Sequence, residues 1–236
     1  MRKHYVYESP FTMKDKNNDV CTLRIVQDEV AGDPRALADN ICTMICWHRD
    51  YDLGDNHNFD NPDEFMQNLY LDVTSKHWID DHNSDDWQDV YKELKETNLV
   101  LIKPINLYDH SGITVSTSNS YPYNDRWDAG CVGFIYVTKK TILDSYEHVT
   151  EENWKEYADQ CIESEMTVYD NYVSGNTYGY VITKKILHQD KCPHCGEIIK
   201  EYTLDDEVDS CWGFYGVCLE ENGILDELHG YTFIED

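Results

Sequence analysis

The chain has 236 residues, 41% of them hydrophobic, and sets 19 Lys and Arg against 46 Asp and Glu for a formal net charge of −27. Such a charge excludes direct readers of nucleic acid and of anionic membranes, because both need cationic side chains to replace condensed counterions. The 18 Tyr and 6 Trp exclude a solvated acidic tail, which lacks the aromatics to build a core, so an acidic folded body is expected, one domain over residues 1–236.

Mean hydropathy is −0.64, no apolar run reaches the ~18 residues of a membrane span, and the start MRKHYVYESP lacks the apolar stretch of a secretory signal. A soluble, cytoplasmic protein with no membrane partner is the expectation. Nine cysteines, an odd number, point to reduced thiols, buried or metal-bound, rather than to a disulfide framework.

In chain order, residues 21–28 (CTLRIVQD) alternate apolar and polar side chains and predict a strand. Residues 29–65 are rich in turn formers and predict mostly irregular chain, although Cys42 and Cys46 sit at core-like spacing. Asn61, Pro62, Asp63 and Glu64 supply the cap, the first-turn proline and the first-turn acids of a helix leading into FMQNLYLDV. A second helix is predicted from Ser84. Its Trp87, Val90, Tyr91 and Leu94 fall on one stripe, with Asp85, Asp86, Asp89 and Glu93 off it.

Residues 99–105, 113–118 and 131–139 are rich in β-branched and aromatic types and predict the central strands. The longest helix is predicted from Thr150, with Trp154, Ala158, Cys161, Ile162 and Met166 at helical spacing and a stop near Gly175. Residues 177–187 and 197–204 then read as two arms of a hairpin whose tip carries CPHCG. The pattern predicts an α+β fold, a mostly antiparallel sheet with flanking helices and a small cysteine-rich hairpin near the C-terminus.

CPHCG is a good zinc half-site, because its tight turn aims two sulfurs at one point. Cys192 and Cys195 would be completed by Cys211 and either Cys218 or a histidine, His188 or His194. A full four-ligand shell leaves no open position, so the zinc would be structural, stapling a hairpin insertion at 186–218. The competing reading is a buried Cys211 beside an unmetallated turn.

CWHRDYDLGDNHNFD and YDHSG gather His48, Asp50, Asp55, His57, Asp109 and His110, types that ligate divalent metals or move protons. A metal-dependent enzyme acting on a nucleotide or nucleic acid is therefore one reading, although such strings are also ordinary turn chemistry and no established catalytic motif accompanies them. A sponge for a nucleotide signal is another. It needs a cationic or aromatic pocket, for which Arg24, Arg35, Arg49 and Arg126 are the candidates.

Carboxylates concentrate at Asp80, Asp81, Asp85, Asp86 and Asp89 and again at Asp205, Asp206, Glu207 and Asp209. Like charge in this amount costs stability through self-repulsion, and solubility needs a net charge of only about 2 to 8. A rigid acidic face can enter a basic groove built for DNA, which carries one charge per ~1.7 Å of axis. A solvated surface with no partner is the alternative.

At YDHSGITVSTS (108–118), RWDAGCVGFIYVTKK (126–140) and DSCWGFYG (209–216) the chain resembles an uncharacterised family of acidic proteins carried by bacteriophages and conjugative elements of Gram-positive bacteria. Genes of this kind lie beside anti-restriction and other anti-defence genes. The resemblance implies a role in conflict with host defences, and together with the −27 charge it leads to the expectation of a non-enzymatic anti-defence protein whose partner is a basic, nucleic-acid-binding host defence protein of restriction or CRISPR type.

Overall fold

The computed structural model describes residues 3–234 apart from Asn83, Asp85, Ser111 and residues 119–128. In chain order its elements are β1 (Phe11–Lys14), β2 (Val20–Gln27), α1 (Pro34–Leu37), β3 (Thr43–Cys46), α2 (Pro62–Thr74), α3 (Trp78–Asp81) and α4 (Trp87–Glu96). There follow β4 (Val100–Asp109), β5 (Ile113–Ser116), β6 (Ala129–Thr138), α5 (Lys139–Ser145), α6 (Trp154–Val173), β7 (Thr177–Lys191), β8 (Ile198–Tyr215), α7 (Ile224–Glu227) and β9 (Thr232–Phe233). All strand pairings are antiparallel, and the fold is α+β. No helix among the described residues is long and apolar enough to cross a membrane.

The chain divides into two compact units, Asp33–Ser174 and the pair of segments Met1–Gly32 and Gly175–Asp236. The unit Asp33–Ser174 is built on a four-stranded sheet in the order β3-β6-β4-β5. Met44, Ile105, Leu107, Ile135 and Val137 pack one buried cluster with Ile142, Trp154, Ala158, Ile162, Met166 and Tyr169 of α5 and α6. Ile45, Val100, Ile102 and Phe134 pack the opposite cluster with Phe65, Met66, Leu69, Tyr70, Trp78, Val90 and Leu94 of α2, α3 and α4. Helices thus cover both faces. This is why the central strands read as near-continuous apolar runs instead of alternating.

The strand β3 lies inside the segment expected to be irregular. Its TMIC is buried at three of four positions, so it carries no polar face for a period-two pattern to report. The close pairing of β3 with β6 also explains Gly133, where a Cβ would stand 2.1 Å from the Ile45 carbonyl oxygen. The helix expected from Ser84 starts later, at Trp87, because Asp86 is the residue whose carboxylate accepts from the Gln88 N–H at 2.9 Å. Asn61 caps α2 as expected, accepting from the Glu64 N–H.

The other unit carries a five-stranded sheet in the order β8-β7-β2-β1-β9. Its core is Met13, Cys21, Leu23, Tyr180, Ile182, Leu219, Ile224 and Leu228. A tether at Glu220 holds the N-terminal segment. The His4 N–H donates to both carboxylate oxygens at 3.0 Å and His4 Nδ1 lies 2.8 Å from Oε1. Burial alone would raise the Glu220 carboxyl, yet the His4 side-chain and backbone bonds outweigh it and hold the group at about 2 against an ordinary 4.5.

A depressed carboxylate contributes stability that is complete above its unfolded pKa and is lost as the pH falls through the folded one. The Glu220→Gln variant is expected to lose about 2 kcal/mol at pH 7, the usual worth of hydrogen bonds to a charged group. The gap from wild type should close as pH falls from 4.5 toward 2. Urea denaturation across that window checks it, and a gap independent of pH would contradict the tether.

Candidate functional site

The second acidic run does not follow a strand; it lies on one. β8 continues through residues 205–209, so Asp205 pairs with Lys185, Asp206 with Lys184, Glu207 with Thr183 and Asp209 with Ile182 across the ladder to β7. Asp205 and Glu207 are exposed, while Asp206 and Asp209 are half-buried. His188 Nε2 is 2.7 Å from Asp206, the Ser210 hydroxyl donates to Glu207 at 2.8 Å, and the Tyr180 hydroxyl donates to Asp209. Burial first, and then the Asp209 charge, pushes the Tyr180 hydroxyl up to about 12, so it remains a donor.

Lys184 does not answer this run alone. Its ammonium bonds Asp15 at 3.0 Å and also Asp19, which fastens the β1–β2 turn to β7. The strand therefore holds its acids on an ordered backbone with limited cationic cover.

The first acidic run belongs to the unit Asp33–Ser174. Asp80 and Asp81 close α3, Asp86 caps α4, and Asp89 is exposed in its first turn; Asp85 lies outside the described residues. A further bond, from the Trp87 N–H to Asp63 at 2.8 Å, ties the start of α4 to that of α2.

The predicted four-cysteine shell is not assembled. Cys192 and Cys195 occupy the turn between β7 and β8, whereas Cys211 pairs with Tyr180 deep in the same hairpin. Lys191 pairs with Ile198 at the tip, so at ~3.3 Å per residue the tip and Cys211 are about 35 Å apart. Cys218 lies beyond β8, buried, with its thiol 3.4 Å from Glu220 Oε2, and burial raises it. The expectation required the chain to fold back after residue 204. Instead β8 runs on to Tyr215 and carries Cys211 away.

At the tip itself the turn is tightly built. The Cys192 N–H donates to the Glu197 carbonyl at 2.8 Å, and the Gly196 N–H returns to the Cys192 carbonyl at 2.9 Å. Gly196 sits at φ +76°, a conformation that glycine adopts without strain. The backbone N–H groups of Cys195 and His194, then the Cys195 side chain, hydrogen-bond the Cys192 sulfur and hold its thiol below the usual range.

The His and Asp cluster is divided as well. Asp55 accepts from Arg35 and from the Met44 N–H, and His57 Nε2 bonds the Cys46 carbonyl at 2.9 Å, its ring packed edge-on to Trp47. His48 Nδ1 accepts from the Asp50 and Tyr51 N–H groups, its ring stacks on Tyr51, and the Tyr51 hydroxyl donates to Asp109 at 2.9 Å. Asp50 pairs with exposed Arg49. The His110 N–H donates to the Gly112 carbonyl, closing a turn. Among the described residues no group of three or more His, Cys, Asp or Glu is arranged to hold a metal ion.

The cations proposed for a nucleotide pocket have partners of their own where they are described. Arg24 contacts Thr183, Arg49 pairs with Asp50, and Arg126 lies outside the described residues. Arg35 is the surprise. Its side chain is 3% exposed and grips Asp55 with two bonds of 2.8 and 2.9 Å, Glu165 at 2.6 Å and the Cys42 carbonyl at 2.7 Å. Glu165 accepts in turn from the Ile41 and Cys42 N–H groups. Every carboxylate oxygen is occupied, and the network joins α1, the start of β3, the segment at Asp55 and α6.

The buried thiols follow the same pattern. Burial, then nearby Asp55, pushes Cys46 up to about 12, and burial with Glu165 pushes Cys42 higher still. Both stay protonated and act as small apolar groups. No family model, no curated protein and no solved structure matches this chain.

Proposed function

We propose that the protein is a non-enzymatic anti-defence protein of a bacteriophage or conjugative element, acting in the bacterial cytoplasm. Its acidic surface occupies the basic nucleic-acid groove of a host defence enzyme of restriction or CRISPR type. The observation that carries this reading is the −27 charge displayed on ordered elements, with the run Asp205 to Asp209 held along β8 and the run at Asp86 and Asp89 opening α4. Carboxylates on a fixed backbone present charge to a groove without the ordering cost that a disordered tail would incur on binding. The family resemblance in its three motifs supports the same reading.

The test is competition in vitro. The protein is added to a restriction enzyme and to a guide-loaded CRISPR nuclease, each offered its own DNA, over a range of salt. Wild type should displace DNA from its target with an affinity that falls as salt rises. Changing Asp80, Asp81, Asp85, Asp86, Asp89, Asp205, Asp206 and Asp209 to Asn and Glu207 to Gln should weaken that inhibition at least tenfold. Asparagine keeps the cap on α4, so the fold is spared. Undiminished inhibition by the amide variant would remove these faces from the mechanism.

A further inference from the structure

Beyond Lys184, the last β7 residue paired with β2, the β7–β8 hairpin leaves its sheet as a two-stranded ribbon. Seven β7 residues continue to the tip, about 23 Å at ~3.3 Å per residue. Its cross-strand contacts are local, with His188 stacked on Tyr202, Gln189 bonded to Glu201 and the Tyr202 hydroxyl bonded to Asp190. At its end Pro193, His194, Cys195, Gly196 and Glu197 are all exposed. The turn that carries them is already closed by its two backbone bonds, Cys192 N–H to the Glu197 carbonyl and Gly196 N–H to the Cys192 carbonyl.

We propose that Cys192 and Cys195 form half of a tetrahedral zinc site that two copies of this chain complete by joining their hairpin tips. A zinc ion takes four ligands, and one knuckle supplies two. Cys211 lies about 35 Å away at ~3.3 Å per residue, Cys218 is buried elsewhere, and no third ligand joins the pair into a metal group among the described residues. A second knuckle brought up by a two-fold axis supplies the missing pair with the same geometry.

Two observations favour a second copy. Ile198 and Ile199, 49% and 68% exposed, stand directly beside the turn and give the joined tips apolar surface to bury. Lys191 and Lys200 offset two of the three acids near the tip, Asp190, Glu197 and Glu201, so like-charge repulsion there is small. The ribbon also holds the tip more than two Debye lengths, ~8 Å each at physiological salt, from the sheet's own acids. On binding, four thiols release four protons to solvent and four thiolate–zinc bonds form, with no change of oxidation state.

The experiment uses the full-length chain, reduced and metal-free, titrated with Co2+ as a spectroscopic probe and then with Zn2+, with mass followed by sedimentation. Saturation at one metal per two chains is expected, with thiolate-to-cobalt absorption, a doubled mass, and reversal by a chelator. Cys192→Ser and Cys195→Ser should abolish both signals, and Cys211→Ser should leave both unchanged. One metal per chain without a change of mass, a doubling that survives the Cys192→Ser/Cys195→Ser double variant, or no thiolate absorption with excess metal would each overturn the proposal.

Discussion

Arg35→Met is expected to destabilise the unit Asp33–Ser174 by about 3 to 5 kcal/mol, the cost of removing one partner from a buried ion pair and stranding the others. Asp55 and Glu165 would keep their backbone N–H donors from Met44, Ile41 and Cys42 but lose the one guanidinium that neutralises both. Two like charges left at one site without their shared cation repel each other. Adding Asp55→Asn and Glu165→Gln should recover much of the loss at pH 7. Urea denaturation of the three proteins measures this, and a loss under 1 kcal/mol for the single variant would contradict the buried triad.

Trp154→Ala should be comparably severe. Trp154 opens α6 at 1% exposure, in one cluster with Ile142, Val149 and Ala158, and the Lys155 ammonium lies 5.7 Å from the ring centroid. Truncating an aromatic of this burial leaves a cavity the neighbours fill only in part, for a loss of about 3 to 5 kcal/mol. Trp154→Phe keeps most of the apolar contact and should lose less than half as much. Circular dichroism during urea titration is the measurement, since the substitution removes a fluorophore. If alanine and phenylalanine cost the same small amount, α6 is held by the Glu165 network instead of by this ring.

How much of this was legible follows the range of the interactions. The helices around Asn61, Trp87 and Trp154 declare themselves because caps and 3.6-residue stripes are local, and the CPHCG hairpin because its two arms adjoin in sequence. β3 escaped because both of its faces are covered. The extension of β8 through DDEVDSC escaped because aspartate disfavours strands and only pairing with β7 overrides that. The misplaced zinc shell followed from this second miss, since Cys211 travels with the strand.

The joining of Arg35, Asp55 and Glu165 into one network had no local sequence signal. Arg35 reaches 20 residues to Asp55 and 130 to Glu165, and no periodicity spans such separations. A faint clue was available, in that an arginine in a strongly acidic chain has many carboxylates to meet and a buried one needs partners. His57 and Asp55 were conspicuous for their chemistry, yet they serve the backbone and the ion pair.

The acidic surface remains the central claim, and its most direct measurement is phage plating on bacterial strains that each carry one defence system. Wild-type protein should restore plating on at least one strain, and the variant with amides at the 80–89 and 205–209 acids should not, which would also name the target. Equal rescue by both proteins would contradict inhibition through the acidic surface, and the absence of rescue on every restriction and CRISPR strain would contradict the anti-defence reading itself.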